Sequence, residues 1–163
     1  MTHAIRQATI ADAAAICQIY NPYILDTAIS FETEPVTPEQ MSQRIADITA
    51  HLPWLVCVED GQILGYAYAT KWRARAAYQH AVESSVYLSG AAGGKGLGSA
   101  LYHALIAELQ KLPVHTVIGG IALPNAASIA LHEKMGFEKV AHFAQVGKKF
   151  DRWIDVGYWQ RVL

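Results

Sequence analysis

The chain is poor in several residue types that mark common functions. It has two cysteines in 163 residues, Cys17 and Cys57. They form no CxxC pair, and each is set among apolar neighbours ("AAICQIY", "WLVCVED"). Such thiols predict buried, free cysteines in a reducing compartment. Charge is also scarce, at 17% of residues, and nearly balanced: 13 Lys and Arg against 14 Asp and Glu leave a net −1. A chain this neutral has no general attraction for nucleic acid or an anionic membrane. No apolar run is long enough to span a bilayer. The opening "MTHAIRQAT" lacks the apolar segment of a signal peptide, so a cytoplasmic protein is expected. There is no internal repeat, linker or low-complexity stretch. With 52% hydrophobic content, these absences predict one globular domain over residues 1–163.

What is present reads as βααβββαβαββ. "AIRQAT" is a short strand, and Thr9 to Asp12 have the spacing of a capping box. Ile16, Ile19, Tyr20, Tyr23 and Ile24 recur at helical spacing, with Pro22 expected to kink or end that helix. "DTAISFETEPVTP" has no period and two prolines, so it reads as a loop. Thr37-Pro38-Glu39-Gln40 starts a second helix, with Met41, Ile45 and Ile48 on one face. "WLVCVEDGQILGYAYAT" is a hairpin about Asp60-Gly61. "HAVESSVYL" is a strand whose period of two puts Glu83, Ser85 and Tyr87 on one face, and Val82, Ser84, Val86 and Leu88 on the other. Leu97, Leu101, Ala104, Leu105 and Leu109 mark an amphipathic helix. "HTVIGGIAL" is a strand interrupted by Gly119-Gly120, and "PNAASIALHEKM" a short helix stopped by Gly136. The last two strands fall around residues 137–146 and 153–159. This order predicts an α/β fold around a mixed, largely antiparallel sheet.

The stretch "GAAGGKGLGSALYHAL" (residues 90–105) puts five glycines among nine residues just before a helix. A helix N-terminus with stripped side chains suits an anion such as phosphate. It is not a P-loop: the G-K frame at Gly94-Lys95 meets Ser89 and Gly96 where Gly and Ser or Thr are needed. It is not a dinucleotide fingerprint either. The third glycine is Ser99 in one frame and Leu101 in the other, and no acidic residue lies between Glu108 and Glu133. Strand, turn, Gly96-Leu97-Gly98 and helix resemble the acetyl-CoA motif of the GNAT (GCN5-related N-acetyltransferase) superfamily. Gly93 stands where that motif has Gln or Arg, a departure that removes a side chain but no backbone N–H. "NAASIALHEKMGF" resembles the superfamily's second motif. "RQATIADAAAICQIYN", "AVESSVYLS" and "VGKKFDRWIDVGYWQ" extend the likeness to its phosphinothricin and methionine sulfoximine/sulfone acetyltransferase branch.

That resemblance implies the GNAT fold, with a splayed central strand pair and helices on both faces of the sheet. It implies acetyl-CoA as co-substrate and no metal. Main-chain groups of Val86, Tyr87 and Leu88 would hold the pantetheine arm, and the Leu88 N–H would polarise the thioester carbonyl. N–H groups of Gly94, Lys95, Gly96, Leu97, Gly98 and Ser99 would hold the pyrophosphate. Gly119-Gly120 would leave room for a ligand or form a bulge. Asn125 would touch the arm or simply cap its helix, with Ser128 one turn on. His132 stands where many relatives have a tyrosine that protonates the leaving thiolate; a structural histidine is the other reading.

Glu83 is the candidate general base, its alternative being a salt-bridged or solvated carboxylate. Lys71, Arg73 and Arg75 alternate. On an extended backbone they share one side and suit a substrate carboxylate, or else form a solvated basic loop end. Phe31, Thr33, Tyr78 and Ser85 complete the candidate acceptor pocket. Trp72 and Trp153 are expected to pack, and Lys148-Lys149 to turn. The expected activity is acetyl transfer to the α-amine of methionine sulfoximine, methionine sulfone or phosphinothricin by direct attack in a ternary complex. A homodimer is expected from the branch. The rivals are an acetylase of protein N-termini or a polyamine, and a non-catalytic acyl-CoA sensor. Basic neighbours of Glu83 disfavour the polyamine.

Overall fold

The structure is a computed structural model that describes residues 3–163. Strand β2 (Trp54–Glu59) shows how its layers are set. Alternate side chains leave opposite faces. Trp54 and Val56 join one apolar cluster, Leu55 and Cys57 the other. The first cluster is closed by α1 (Ala13–Asp26) and α2 (Pro38–Thr49), which bring Ile16, Tyr20, Ile24, Met41 and Ile45. The second is closed by α3 (Leu97–Gln110) and α4 (Ala126–Lys134). Leu101, Leu105 and Leu109 of α3 are wholly buried, each contributing about 1.5–3 kcal/mol by leaving water. Helices therefore lie on both faces, as expected.

The other strands are β1 (Ala4–Gln7), β3 (Gln62–Lys71), β4 (Ala81–Leu88), β5 (Thr116–Ala122), β6 (Glu138–Lys149) and β7 (Arg152–Val162). They make one seven-stranded sheet in the order β1-β2-β3-β4-β5-β7-β6. Only β4 and β5 run parallel. The α/β arrangement around a mixed, largely antiparallel sheet read from the sequence is the one observed.

Several local expectations hold for the reasons given. Thr37 Oγ1 accepts from the Gln40 N–H at 3.2 Å while Gln40 Oε1 accepts from the Thr37 N–H at 3.0 Å. Asp60 and Gly61 both have positive φ, as a tight hairpin turn requires. Two expectations fail outright and a third fails in part. Of the kink or end expected at Pro22, the end does not occur, and α1 runs on to Asp26. Ile24 is 1% exposed and the Tyr23 hydroxyl donates to the Leu88 carbonyl at 2.5 Å, so tertiary anchoring offsets the lost helical bond. Lys148-Lys149 is not a turn but the end of β6; the turn is Phe150-Asp151, both at positive φ. Trp153 does not pack into the interior: it is 62% exposed, with the Lys148 ammonium 5.1 Å from its ring.

Candidate active site

The site begins where β4 and β5 part. They pair only over Ala81↔Thr116, Val82↔Val117 and Glu83↔Ile118. The Ser89 N–H donates to the Leu64 carbonyl (2.8 Å), and the Trp72 N–H to that of Ala81 (3.3 Å), which sets the hydrogen-bonding alternation of the β3–β4 ladder. Odd-numbered β4 residues turn their main-chain groups to β3, and even-numbered ones away from it. Past Glu83, the N–H and C=O of Val86 and Leu88 therefore face an open wedge. The Leu88 carbonyl accepts from Tyr23, which leaves its N–H directed at the wedge. On the far side, β5 bonds to β7 through odd-numbered residues (Leu123 N–H to Asp155 O, 2.9 Å; Leu163 N–H to His115 O, 2.8 Å). Gly120 and Ala122 thus turn their main-chain groups toward the same wedge. Tyr87 departs from expectation: its N–H and C=O point to β3, and only its ring reaches the cleft.

The wedge opens onto the glycine loop. Gly94 (φ +76°) and Gly96 (φ +70°) are left-handed, a conformation a side chain resists, and Gly96 is the N-cap of α3. The first N–H groups of α3 have no helical partner and carry the positive end of its dipole. A cleft of about 390 Å³ lies here, lined by Val86, Leu88, Gly94, Gly96, Leu97, Gly98, Ser99, Asn125 and Ser128 among others. Asn125 caps α4, its Oδ1 accepting from the Ser128 N–H at 3.2 Å. The Lys95 side chain turns away to the buried Glu59 (3.2 Å), tying the loop to β2.

A second hollow of about 570 Å³ shares Ile29 and Tyr87 with the first and is lined by Phe31, Glu32, Glu83, Ser85 and Tyr158. Burial pushes the Glu83 carboxyl above its ordinary pKa, and the Arg73 charge opposes this. Five ion pairs occur among the described residues, and Glu83 is in none of them. Arg73 lies over the Trp72 ring at 4.6 Å, and Trp72 meets Tyr158 edge-on at 5.5 Å. The loop carrying Phe31 is held from three sides. Arg44 of α2 clasps Glu32 through two bonds (2.9 and 2.6 Å) and holds its carboxyl below the usual range. The Tyr20 hydroxyl of α1 contacts Ser30 (2.7 Å) and Glu32. Lys149 of β6 donates to the Ser30 carbonyl at 2.6 Å.

Other expected residues do not gather here. β3 ends at Lys71, and the chain bends into a 3-10 turn over Ala76–Tyr78. The alternation of Lys71, Arg73 and Arg75 therefore breaks, and all three, with Tyr78, are exposed outside both hollows; of the three, Arg73 alone acts on Glu83, through its charge. Thr33 lines a separate depression beside Lys148 and Asp151. Gly119 and Gly120 form no bulge, since β5 and β7 stay in register across them. Gly119 makes room for a side chain, and Gly120 lines both the wedge and the second hollow. A Cβ at Gly119 would lie 2.5 Å from His132 Nε2, and one at Gly120 3.0 Å from Tyr158 Cε1. His132 is buried, with Nε2 2.7 Å from the Tyr102 hydroxyl and Nδ1 2.7 Å from the Ser128 carbonyl. Tyr20, Glu32 and Tyr158 were not foreseen; Glu32 sits in a stretch without period, and its partner Arg44 is one helix away.

Comparison with known proteins decides the family. A family model described as "Acetyltransferase (GNAT) domain" matches residues 5–157. The chain belongs to the GNAT acetyltransferases. A phosphinothricin N-acetyltransferase from Streptomyces viridochromogenes is 41% identical over 157 residues, 96% of this chain and 86% of that one. An L-methionine sulfoximine/L-methionine sulfone acetyltransferase from Salmonella typhimurium is also 41% identical, over 96% of this chain. Two crystal structures superpose on almost every residue. A GNAT phosphinothricin acetyltransferase from Sinorhizobium meliloti in complex with acetyl-CoA has TM-score 0.95 and 37% identity, covering 100% of this chain and 89% of that one. A ribosomal-protein-alanine N-acetyltransferase from Brucella melitensis has TM-score 0.96 and 38% identity, covering 98% and 99%.

This GNAT acetyltransferase thus uses acetyl-CoA, which brings an activated acetyl thioester. Its own geometry fits that co-substrate. The free edges of Val86, Leu88, Gly120 and Ala122 suit an extended chain of amides, and the bare N-terminus of α3 suits a diphosphate. Among the described residues no group of three or more His, Cys, Asp or Glu forms a metal site.

Proposed function

We propose that this acetyltransferase acylates the α-amine of a small amino acid analogue, namely methionine sulfoximine, methionine sulfone or phosphinothricin, by direct attack in a ternary complex. The observation that carries this reading is Glu83: a partly buried carboxylate with no ion-pair partner, in a hollow that shares a wall with the acetyl-CoA cleft. The α-ammonium of a free amino acid, with a pKa of about 8 or above, must lose a proton to attack. Glu83 takes it, directly or through a water. The new N–C bond forms as the C–S bond breaks, and the sulfur leaves as thiolate and is then protonated. The Leu88 N–H stabilises the carbonyl oxygen during attack. Arg73 receives the acceptor's carboxylate. Phe31 and Ser85 wall the acceptor. Cys17 and Cys57 are buried thiols whose pKa burial raises, which disfavours an acyl-enzyme through either.

The curated relatives named above support the acceptor class. The family match over residues 5–157 supports one acetyltransferase domain spanning the chain. The β6–β7 hairpin exposes Val140, Phe143, Val146, Phe150 and Trp153, which supports a homodimer closed over that strip; sedimentation gives its mass. No described helix is long and apolar enough to cross a membrane, consistent with a cytoplasmic enzyme. A second reading, acetylation of an N-terminal alanine, is favoured by the likeness to the Brucella enzyme. Thiol release measured with the three analogues, an alanine-initiated peptide and a polyamine separates these. The analogues are expected to exceed the peptide in kcat/KM by more than about tenfold, or about 1.4 kcal/mol. A better peptide substrate overturns the proposed acceptor. Binding of CoA without turnover of any amine overturns the catalytic reading.

A further inference from the structure

The wedge between β4 and β5 needs a cause. A bulge can turn a strand from its neighbour, yet β4 keeps unbroken register with β3 from Val82 to Leu88. The cause lies beneath the sheet. The last β4–β5 pair is Glu83↔Ile118. The next residue on β4 is Ser84 and the next on β5 is Gly119. One side-chain chain meets both. Ser84 Oγ lies 2.6 Å from the Tyr102 hydroxyl, and that hydroxyl lies 2.7 Å from His132 Nε2. The His132 ring rests on Gly119, in the space a Cβ would need. Ser84, Tyr102 and His132 are 5%, 0% and 7% exposed.

We infer that Ser84, Tyr102 and His132 form a positioning chain that holds the fork of the sheet open and so sets the width of the acetyl-CoA cleft. The proton order follows from chemistry. The Ser128 carbonyl can only accept, so His132 Nδ1 carries a hydrogen. Burial lowers the His132 pKa, so the ring is neutral and Nε2 is an acceptor. Tyr102 donates to Nε2, and Ser84 donates to Tyr102. Every member is satisfied, and the ring is fixed by α3, α4 and β5 together. In this arrangement His132 has no Nε2 proton to give a leaving thiolate; it acts through the shape of the cleft. The glycine at 119 is required because a side chain there would expel the ring.

The inference rests on the cleft as the acetyl-CoA site, and calorimetric binding of CoA to the wild-type enzyme tests that alone. The chain is tested by Tyr102→Phe, which leaves Nε2 without its donor, and by Gly119→Ala, which displaces the ring from the other side. In each the dissociation constant for CoA is expected to rise about tenfold, because the free protein settles with a cleft of altered width and binding must restore it. KM for acetyl-CoA should rise in step. Acceptor KM and the pH profile of kcat should stay as in wild type. Ser84→Ala, which removes one hydroxyl, should shift CoA affinity the same way by less, and carries the test if the others fail to fold. Unchanged CoA affinity in the folded variants overturns the inference. So does a fall in kcat at unchanged CoA affinity with a lost alkaline limb, which would mark the chain as the proton donor.

Discussion

Replacing Glu83 by Gln tests the proposed chemistry with little change of shape. General-base assistance is worth about 10²–10⁴-fold, or about 3–5 kcal/mol of barrier, so kcat/KM for the acceptor should fall in that range at pH 7. The deficit should depend on pH in a calculable way. The α-amine of a free amino acid, beside its own carboxylate, is more basic than the roughly 8 of a peptide terminus, so less than about a tenth of the acceptor is free base at pH 7 and the share climbs steeply by pH 9. The variant must wait for free amine, whereas the wild type deprotonates bound ammonium. The ratio of variant to wild-type kcat/KM should therefore rise at least about tenfold between those pH values. Wild-type activity should fall on acidification with an apparent pKa above the ordinary carboxylate range, because burial raises that of Glu83. Stability should move the other way. A carboxyl whose pKa is raised by folding binds more protons folded than unfolded in the window between its two pKa values. Wild-type stability is thus lost as pH rises through that window, by about 1.4 kcal/mol for each unit of displacement. The Gln variant lacks this loss, so its Tm should match or exceed wild type at pH 7, an advantage gone below the unfolded pKa of about 4.3. Thiol-release kinetics from pH 5.5 to 9.5, with calorimetric melting of both proteins, read all of this. A variant keeping over half the wild-type kcat/KM at pH 7, or a pH-independent ratio, would refute the role.

Two further substitutions separate the hollows. Gly96→Ala places a side chain at φ +70°, which costs about 1–2 kcal/mol, and nothing lies within 4 Å of the new Cβ to complicate the result. The free loop relaxes away from the strain and binding must restore it. KM for acetyl-CoA should rise about five- to thirtyfold with acceptor KM unchanged; equal changes in both would refute a role confined to the cofactor loop. Gly147→Ala brings a Cβ within 2.3 Å of Phe31 Cε2, forcing that ring into the acceptor hollow. Acceptor KM should rise about fivefold or more, the low end for overpacking, with acetyl-CoA KM unchanged. An unaltered acceptor KM would remove Phe31 from the pocket wall.

The fold was largely legible because its signals are local. Thr37-Pro38 with Gln40, Asp60-Gly61 and the leucines of α3 each act within a few residues, and each produced the expected element. The errors share a cause in long-range contact. Pro22 loses to the anchors Tyr23 and Ile24, whose partners lie on another element. The turn at Phe150-Asp151 carries neither Gly nor Asn, and Lys149 is drawn into the strand by the carbonyl of Ser30, 119 positions away. The alternation of Lys71, Arg73 and Arg75 was a real sequence pattern without an extended backbone to express it.

The site shows the sharper limit. The half proposed to bind the anion is made of main-chain groups, and a sequence reveals such groups only through glycines that uncover them. Gly94 and Gly96 do so directly, since their left-handed backbone lines the proposed cofactor cleft. Gly119 does not. It leaves the same mark in the sequence, yet the space it leaves is filled from inside by His132. Which of the two a glycine serves is decided by what packs above it, and α4 and β7 arrive there only through tertiary structure. A glycine pair at the end of a parallel ladder therefore carries two meanings, a place for ligand or a place for the side chain that shapes the ligand's cleft. Here Gly119 carries the second meaning, with His132 beneath it, while Gly120 lines the hollow beside Glu83 and Tyr158.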